Sequence, residues 1–124
     1  MTATILVIED NQDNIRLVDY VLRAHGYEPL LATDGADGLR IALEREPDLI
    51  LLDIRMPKMD GYEVAARLKQ AGLKATKVVA VTASAMVGDR ERISAAGFDG
   101  YIQKPIEPEA FMADVERFLP ASRP

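Results

Sequence analysis

Apolar and polar positions along this 124-residue chain follow two alternating patterns. Short apolar runs, which are typical of buried strands, occupy residues 4–8, 27–32, 48–53, 77–82 and 99–102. Between these runs the apolar residues recur at helical spacing. Such alternation is typical of β-α-β units, in which helices connect parallel strands. The sequence therefore predicts one α/β domain over residues 1–124, with five strands and five helices.

Capping and breaking residues delimit the predicted helices. The first is expected at about 12–25, the second at about 36–46 and the fourth at about 88–96. The third lies between Asp60, which with Glu63 forms a capping-box pattern, and Gly72. The fifth begins near Pro108. Helical spacing predicts that the second helix buries its apolar residues, which are Leu39, Ala42 and Leu43.

Acidic residues stand at the ends of two of the predicted strands. Glu9 and Asp10 follow the first run, and Asp53 ends the third. Residues at the carboxyl ends of parallel strands face the crevice where α/β sheets bind ligands. Two carboxylates ~4 Å apart repel each other by ~4 kcal/mol, so such a cluster should hold a proton or bind a cation. Ligands that are all oxygen favour Mg²⁺.

The fourth and fifth strands add two further groups at the same edge. Thr82 ends the fourth run, and Lys104 follows the fifth. Acids, a hydroxyl and an ammonium together suit phosphoryl transfer to a carboxylate, where catalysis is mainly positioning and charge neutralisation. Asp53 is the central acid and the best candidate nucleophile. Lys104 would pair with one phosphoryl oxygen, and the Thr82 hydroxyl would bond another.

Composition excludes several other classes of protein. A net charge of −5 without a basic run argues against direct nucleic-acid binding. The chain has no cysteine, which rules out disulfides and thiolate chemistry. It has neither a signal-peptide pattern nor an apolar run of the ~20 residues that span a bilayer. We therefore expect a cytoplasmic protein with no membrane insertion.

The chain resembles the response-regulator receiver domain of two-component signalling along nearly its whole length. The residues that carry the resemblance are Glu9–Asp10, the segment from Asp53 to Gly61, Thr82–Ala83 and Lys104–Pro105. The resemblance implies a flavodoxin-like fold with strand order 2-1-3-4-5 and helices on both faces. It also implies that a histidine kinase or a histidine phosphotransfer protein phosphorylates Asp53.

The same resemblance implies a magnesium site and a switch. Mg²⁺ would be held by Asp10, Asp53 and the main-chain carbonyl of Arg55, with Glu9 reaching it through water. The Lys104–Pro105 peptide bond would be cis.

Phosphorylation would move Thr82 onto the phosphoryl group and let Tyr101 turn inward. The surface of the fourth helix, fifth strand and fifth helix would then change its affinity for a downstream protein partner. On this interpretation the chain is no enzyme but a phosphoacceptor that assists its own phosphorylation and dephosphorylation.

Two variable positions flank the expected path of the attacking water. These are Arg55, two residues after the nucleophile, and Ser84, two after Thr82. We hypothesise that they set the lifetime of the phosphoryl group. The stretch that begins at Ala83 is similar both to stand-alone receivers, including regulators of alphaproteobacterial cell division, and to receivers of hybrid histidine kinases.

Two alternative functions each require a feature that this chain lacks. A phosphatase of the haloacid dehalogenase class needs an Asp two residues after the nucleophile, where this chain has Arg55. A dinucleotide-binding domain needs a Gly-rich loop after the first strand, which is absent. Within the receiver interpretation, the chain could be a relay intermediate, a fragment of a hybrid kinase, or a free-standing regulator. We favour the last, as a monomer or weak dimer without an output domain.

Overall fold

The computed structural model describes residues 3–73, 75–83 and 86–119. Five strands alternate with five helices, as predicted. The strands are β1 (Ile5–Ile8), β2 (Leu30–Ala32), β3 (Leu49–Asp53), β4 (Lys77–Thr82) and β5 (Gly100–Gln103). The helices are α1 (Gln12–Ala24), α2 (Gly35–Arg45), α3 (Gly61–Gln70), α4 (Val87–Ala95) and α5 (Pro108–Phe118).

The strands form one parallel sheet in the order β2-β1-β3-β4-β5, so the predicted topology is confirmed. Every residue of β1 and β3 is buried. These two strands are neighbours, with Ile8 in register with Leu52. Strands covered on both faces need continuous apolar sequence, which explains why both runs lack alternation. Their shared register places Glu9 and Asp53 at the same edge.

Helices pack on both faces of the sheet and enclose two apolar layers. One layer joins α1 and α5 to the sheet through Ile15, Val18, Leu22, Phe111 and Val115. The other joins α2, α3 and α4 to the opposite face through Ala42, Val64, Leu68 and Ile93. The sheet between them holds the strand ends in fixed positions.

Three helices begin with a side-chain cap. Asn11, Asp34 and Asp60 each accept a hydrogen bond from the backbone N–H three residues later. The capping box predicted for α3 is only half formed, because the Glu63 carboxylate accepts from Arg67 Nη2 at 2.9 Å. An i,i+4 ion pair replaces the reciprocal cap.

The largest correction to a strand boundary is at the start of β2, since every other bound agrees with the prediction to within one residue. β2 was predicted from residue 27 but begins at Leu30. The Tyr27 N–H donates to Leu22 O at the end of α1, and Pro29 has no N–H to give to a sheet.

The prediction that Leu43 lies in the core is wrong, since it is 44% exposed. Small residues on α2, Gly38 and Ala42, face the sheet instead, and a Cβ on Gly38 would lie 2.4 Å from Ile8 Cδ1. Leu39 is only partly buried for the same reason. Leu39 and Leu43 come directly after Gly38 and Ala42, the small residues that face the sheet, so both leucines lie on the side of the helix.

Within the described ranges, no helix is long and apolar enough to cross a membrane.

Candidate functional site

Four adjacent strands deliver polar side chains to one edge of the sheet. Glu9 and Asp10 follow β1, Asp53 and Thr82 are the last residues of β3 and β4, and Lys104 follows β5. They meet in a cleft of about 200 Å³. The cleft is lined by Glu9, Asp10, Asn11, Asn14, Asp53, Arg55, Thr82, Ala83 and Lys104. The structure therefore brings together the five groups that the sequence placed at strand ends.

Three carboxylates form the floor of this cleft. One oxygen from each of Glu9, Asp10 and Asp53 lies within 4.8 Å of the other two. Glu9 and Asp53 are 4% and 5% exposed, and Asp10 is the most exposed of the three. A set of oxygen donors with two buried carboxylates and one that reaches solvent fits Mg²⁺, which keeps several waters when a protein binds it.

Lys104 is the cation that faces these acids. Its Nζ lies 3.0 Å from Glu9 Oε1 and 3.5 Å from Asp53 Oδ1. The Glu9 carboxylate also accepts a hydrogen bond from the backbone N–H of Asn11, at 3.1 Å. The Lys104–Pro105 peptide bond is cis, as the resemblance implied. Glu9 thus positions the Lys104 ammonium beside Asp53.

Asp53 has an altered acidity. Burial, together with the hydrogen bond and negative charge of Glu9, raises the pKa of Asp53 from 3.8 to about 7. The Lys104 charge and the Arg55 N–H, which donates to Asp53 Oδ1 at 3.3 Å, act in the opposite direction. Desolvation and a neighbouring acid dominate, so this carboxylate favours a proton or a cation at neutral pH.

Thr82 is 6% exposed in the wall of the cleft. Its carbonyl accepts from the Lys104 N–H at 2.7 Å, which couples the ends of β4 and β5. Tyr101 is partly buried against the layer shared by α2, α3 and α4. Ser84, the second predicted tuning residue, lies outside the described residues.

Arg55 is exposed at the rim of the cleft. Its position, two residues after Asp53, is where a phosphatase of the haloacid dehalogenase class would need an acid. A guanidinium cannot serve as general acid or base in that position, because it stays protonated. The cleft therefore lacks the acid that the phosphatase alternative requires two residues after the nucleophile.

Sequence reasoning missed two residues of the cleft, Asn11 and Asn14. Asn11 is the N-cap of α1, and its Oδ1 accepts from the Asn14 N–H at 3.0 Å. An Asn directly before an amphipathic helix is a capping signal. That signal, combined with the start of α1 beside Asp10, could have placed both residues at the cleft.

Gly61 packs closely against the end of β3, the strand that carries Asp53. A Cβ at this position would lie 2.6 Å from the Asp53 carbonyl oxygen. The Gly61 N–H donates to Ile54 O at 2.9 Å. Only glycine lets the first turn of α3 approach the end of β3 this closely.

The fold and the cleft define a class of protein. The family model of the response regulator receiver domain matches residues 5–116. The chain belongs to this family and is a receiver domain of two-component systems, so the predicted family is confirmed.

Among individual proteins, the chain is most usefully compared with DivK. It is 41% identical over 120 residues to the polar-differentiation response regulator DivK of Brucella ovis, a match that covers 96% of this chain and 98% of the relative. DivK of Brucella anthropi is 40% identical over the same length. The predicted similarity to stand-alone receivers is confirmed by this match over nearly the full length of both chains.

Solved structures agree on the fold. The chemotaxis protein CheY4 of Vibrio cholerae superposes with a TM-score of 0.90 at 28% identity, covering 96% of this chain and 100% of that one. The receiver domain of a sensor histidine kinase of Pseudomonas aeruginosa PAO1 has a TM-score of 0.85 at 32% identity, with 95% and 98% covered. That structure holds a magnesium ion in its active-site cleft. Receiver domains bind Mg²⁺ at an acidic pocket and interact with histidine kinases and downstream partners.

Proposed function

We propose that this protein is a phosphorylation switch in which Asp53 accepts a phosphoryl group from a histidine kinase or a histidine phosphotransfer protein. One observation carries the proposal: Glu9, Asp10, Asp53, Thr82 and Lys104 converge on a single cleft. Similarity to DivK response regulators over nearly the whole chain supports it.

Asp53 is the nucleophile in this proposal. One carboxylate oxygen attacks phosphorus while the P–N bond of the phosphohistidine breaks, and the electron pair stays on the imidazole nitrogen. The product is an acyl phosphate. The step transfers the group without turnover of a substrate, so the protein is an acceptor that assists its own modification rather than an enzyme.

Asp10, Asp53 and the main-chain carbonyl of Arg55 would hold Mg²⁺, with Glu9 contributing through water. The cluster of three carboxylate oxygens supports this assignment. When bound, Mg²⁺ supplies positive charge that favours ionised acids and offsets charge on the phosphoryl oxygens. The ionised, nucleophilic form of Asp53 is thereby favoured over the protonated form.

Lys104 and Thr82 respond to the new group. Phosphorylation gives Asp53 a charge of about −1.5 to −2, which attracts the ammonium that Glu9 holds 3.0 Å from its Oε1. Thr82 can turn its hydroxyl to a phosphoryl oxygen. The space it leaves admits the Tyr101 ring, and the surface of α4, β5 and α5 changes its affinity for a downstream protein. Arg55 and Ser84 would set the phosphoryl lifetime.

A relay role is the alternative within this function. A relay intermediate passes its phosphoryl group to a phosphotransfer protein, whereas an allosteric regulator loses it to water. Incubating the purified phosphorylated protein with phosphotransfer partners distinguishes the two. The cytoplasmic location and the monomeric or weakly dimeric state remain predictions.

Intact-mass analysis tests the chemistry. The protein is treated with acetyl phosphate and Mg²⁺, and we expect a gain of about 80 Da. Asp53→Asn should show no gain. Asp60→Asn is the matched control, because it makes the same change of acid to amide while Asn still caps α3. An unmodified wild-type protein, or an adduct that persists in Asp53→Asn, would refute the assignment.

A further inference from the structure

Helix α4 has the smallest buried face of the five helices. Of its nine residues only Ile93 is buried, whereas each of the other helices buries three or four. Its N-cap, Met86, makes no side-chain cap hydrogen bond. Met86 and Val87 are 74% and 64% exposed. Buried apolar side chains therefore contribute less to holding α4 against the rest of the domain than they do for the other four helices.

Aromatic contacts with α3 provide a second attachment. The Arg92 guanidinium of α4 lies 4.1 Å from the centroid of the Tyr62 ring. Phe98, just beyond α4, meets the same ring edge to face, with centroids 6.1 Å apart and planes at 85°. Both are favourable geometries for an aromatic ring. We call Tyr62, Arg92 and Phe98 the α3–α4 clip.

Tyr62 of the clip is next in the chain to a glycine that packs against the end of β3. Tyr62 follows Gly61, whose N–H bonds Ile54 O and whose Cα faces the Asp53 carbonyl. The backbone of α3 is thus held close to the end of β3 at the residue before Tyr62. In the chain, α4 follows β4, whose last residue, Thr82, lies in the wall of the cleft. Through Tyr62, α4 therefore contacts the first turn of α3, which packs against the end of the strand that carries Asp53.

We propose that the α3–α4 clip restrains α4 in its resting position and so sets how readily the cleft can change the surface of α4. This inference rests on the proposed phosphorylation of Asp53. A displacement of α4 must separate Arg92 from the Tyr62 ring, so the contact stabilises the resting arrangement over the displaced one. Removing the contact raises the population of the displaced arrangement before phosphorylation.

Hydrogen exchange of the unphosphorylated full chain in EDTA tests the restraint. Arg92→Gln and Tyr62→Leu should speed exchange of the α4 amides by about 2- to 5-fold, the effect of losing an exposed cation–π contact. Arg90→Gln removes the same charge from the same helix, and Tyr62→Phe keeps the ring, so both should match wild type. Equal α4 exchange in Arg92→Gln and Arg90→Gln would overturn the proposal.

The rate of adduct formation from acetyl phosphate and Mg²⁺ tests the consequence. Arg92→Gln should react about 2- to 5-fold faster than Arg90→Gln. Equal rates, with the adduct present in both, would contradict control of the cleft by the clip. A wild-type protein that forms no adduct would instead refute the proposed function, and the exchange measurement would still decide whether the clip holds α4.

Discussion

At the scale of single residues, Glu9 acts on both of its charged neighbours. It holds Lys104 at 3.0 Å, and it raises the pKa of Asp53 by hydrogen bonding and by charge. Removing Glu9 would therefore change the position of the cation and the acidity of the nucleophile together.

Asp53 should make stability depend on pH in the absence of Mg²⁺. Its pKa is about 7 in the folded protein and near 3.8 in the unfolded chain. Between these values the folded state binds more protons, so the free energy of unfolding falls as pH rises from 4 to 7 and then levels.

Asp53→Asn should remove this fall. At pH 8 in EDTA the substitution should raise the free energy of unfolding by about 2 kcal/mol, which is less than the full pKa shift would give because the cleft is open to water. At pH 4 the gain should be much smaller. Urea unfolding from pH 4 to pH 8 measures the difference. A gap between variant and wild type that does not change with pH would contradict the assigned acidity.

At the scale of elements, glycines set how closely helices approach the sheet. A Cβ on Gly38 of α2 would lie 2.4 Å from Ile8 Cδ1, whereas a Cβ on Gly88 of α4 would have no neighbour within 4 Å. The two helices are thus packed very differently. The contrast offers a matched pair of substitutions.

Gly38→Ala should destabilise the protein by about 1–3 kcal/mol, because the added methyl forces α2 away from β1. Gly88→Ala should be neutral or stabilising by up to about 1 kcal/mol, because alanine favours a helix. Urea unfolding measures both. A Gly38→Ala protein as stable as wild type would show that α2 can shift without cost.

The cap of α3 is a second element with a measurable contribution. Asp60→Ala should cost about 1 kcal/mol through loss of the hydrogen bond from the Glu63 N–H, while Asp60→Asn should cost little. Thermal unfolding of the two variants separates the cap from the charge. Equal losses would assign the effect to charge instead.

At the scale of the whole molecule, Mg²⁺ should couple to folding because its ligands come from different strands. At ten times its dissociation constant, Mg²⁺ should stabilise the protein by about 1.4 kcal/mol. Asp10→Asn should abolish most of this gain. Asp13→Asn, an exposed neighbour outside the cleft lining, should retain it. Urea unfolding with and without Mg²⁺ tests the comparison, and an equal gain in both variants would place the ion elsewhere.

The architecture and the five converging polar groups were predictable because both depend on local patterns. Continuous apolar strands, helix caps and polar strand ends are visible in sequence. The exposure of Leu43 was not, since it depends on how closely Gly38 lets α2 approach Ile8. The contact between Tyr62 and Arg92 joins separate helices, and no local pattern encodes it.

The edge strands of the sheet affect how the protein behaves at high concentration. The outermost strands, β2 and β5, are only three and four residues long. Each therefore presents few unpaired backbone groups onto which a further strand could add. Refolding at high concentration should accordingly return single molecules rather than strand-linked polymers.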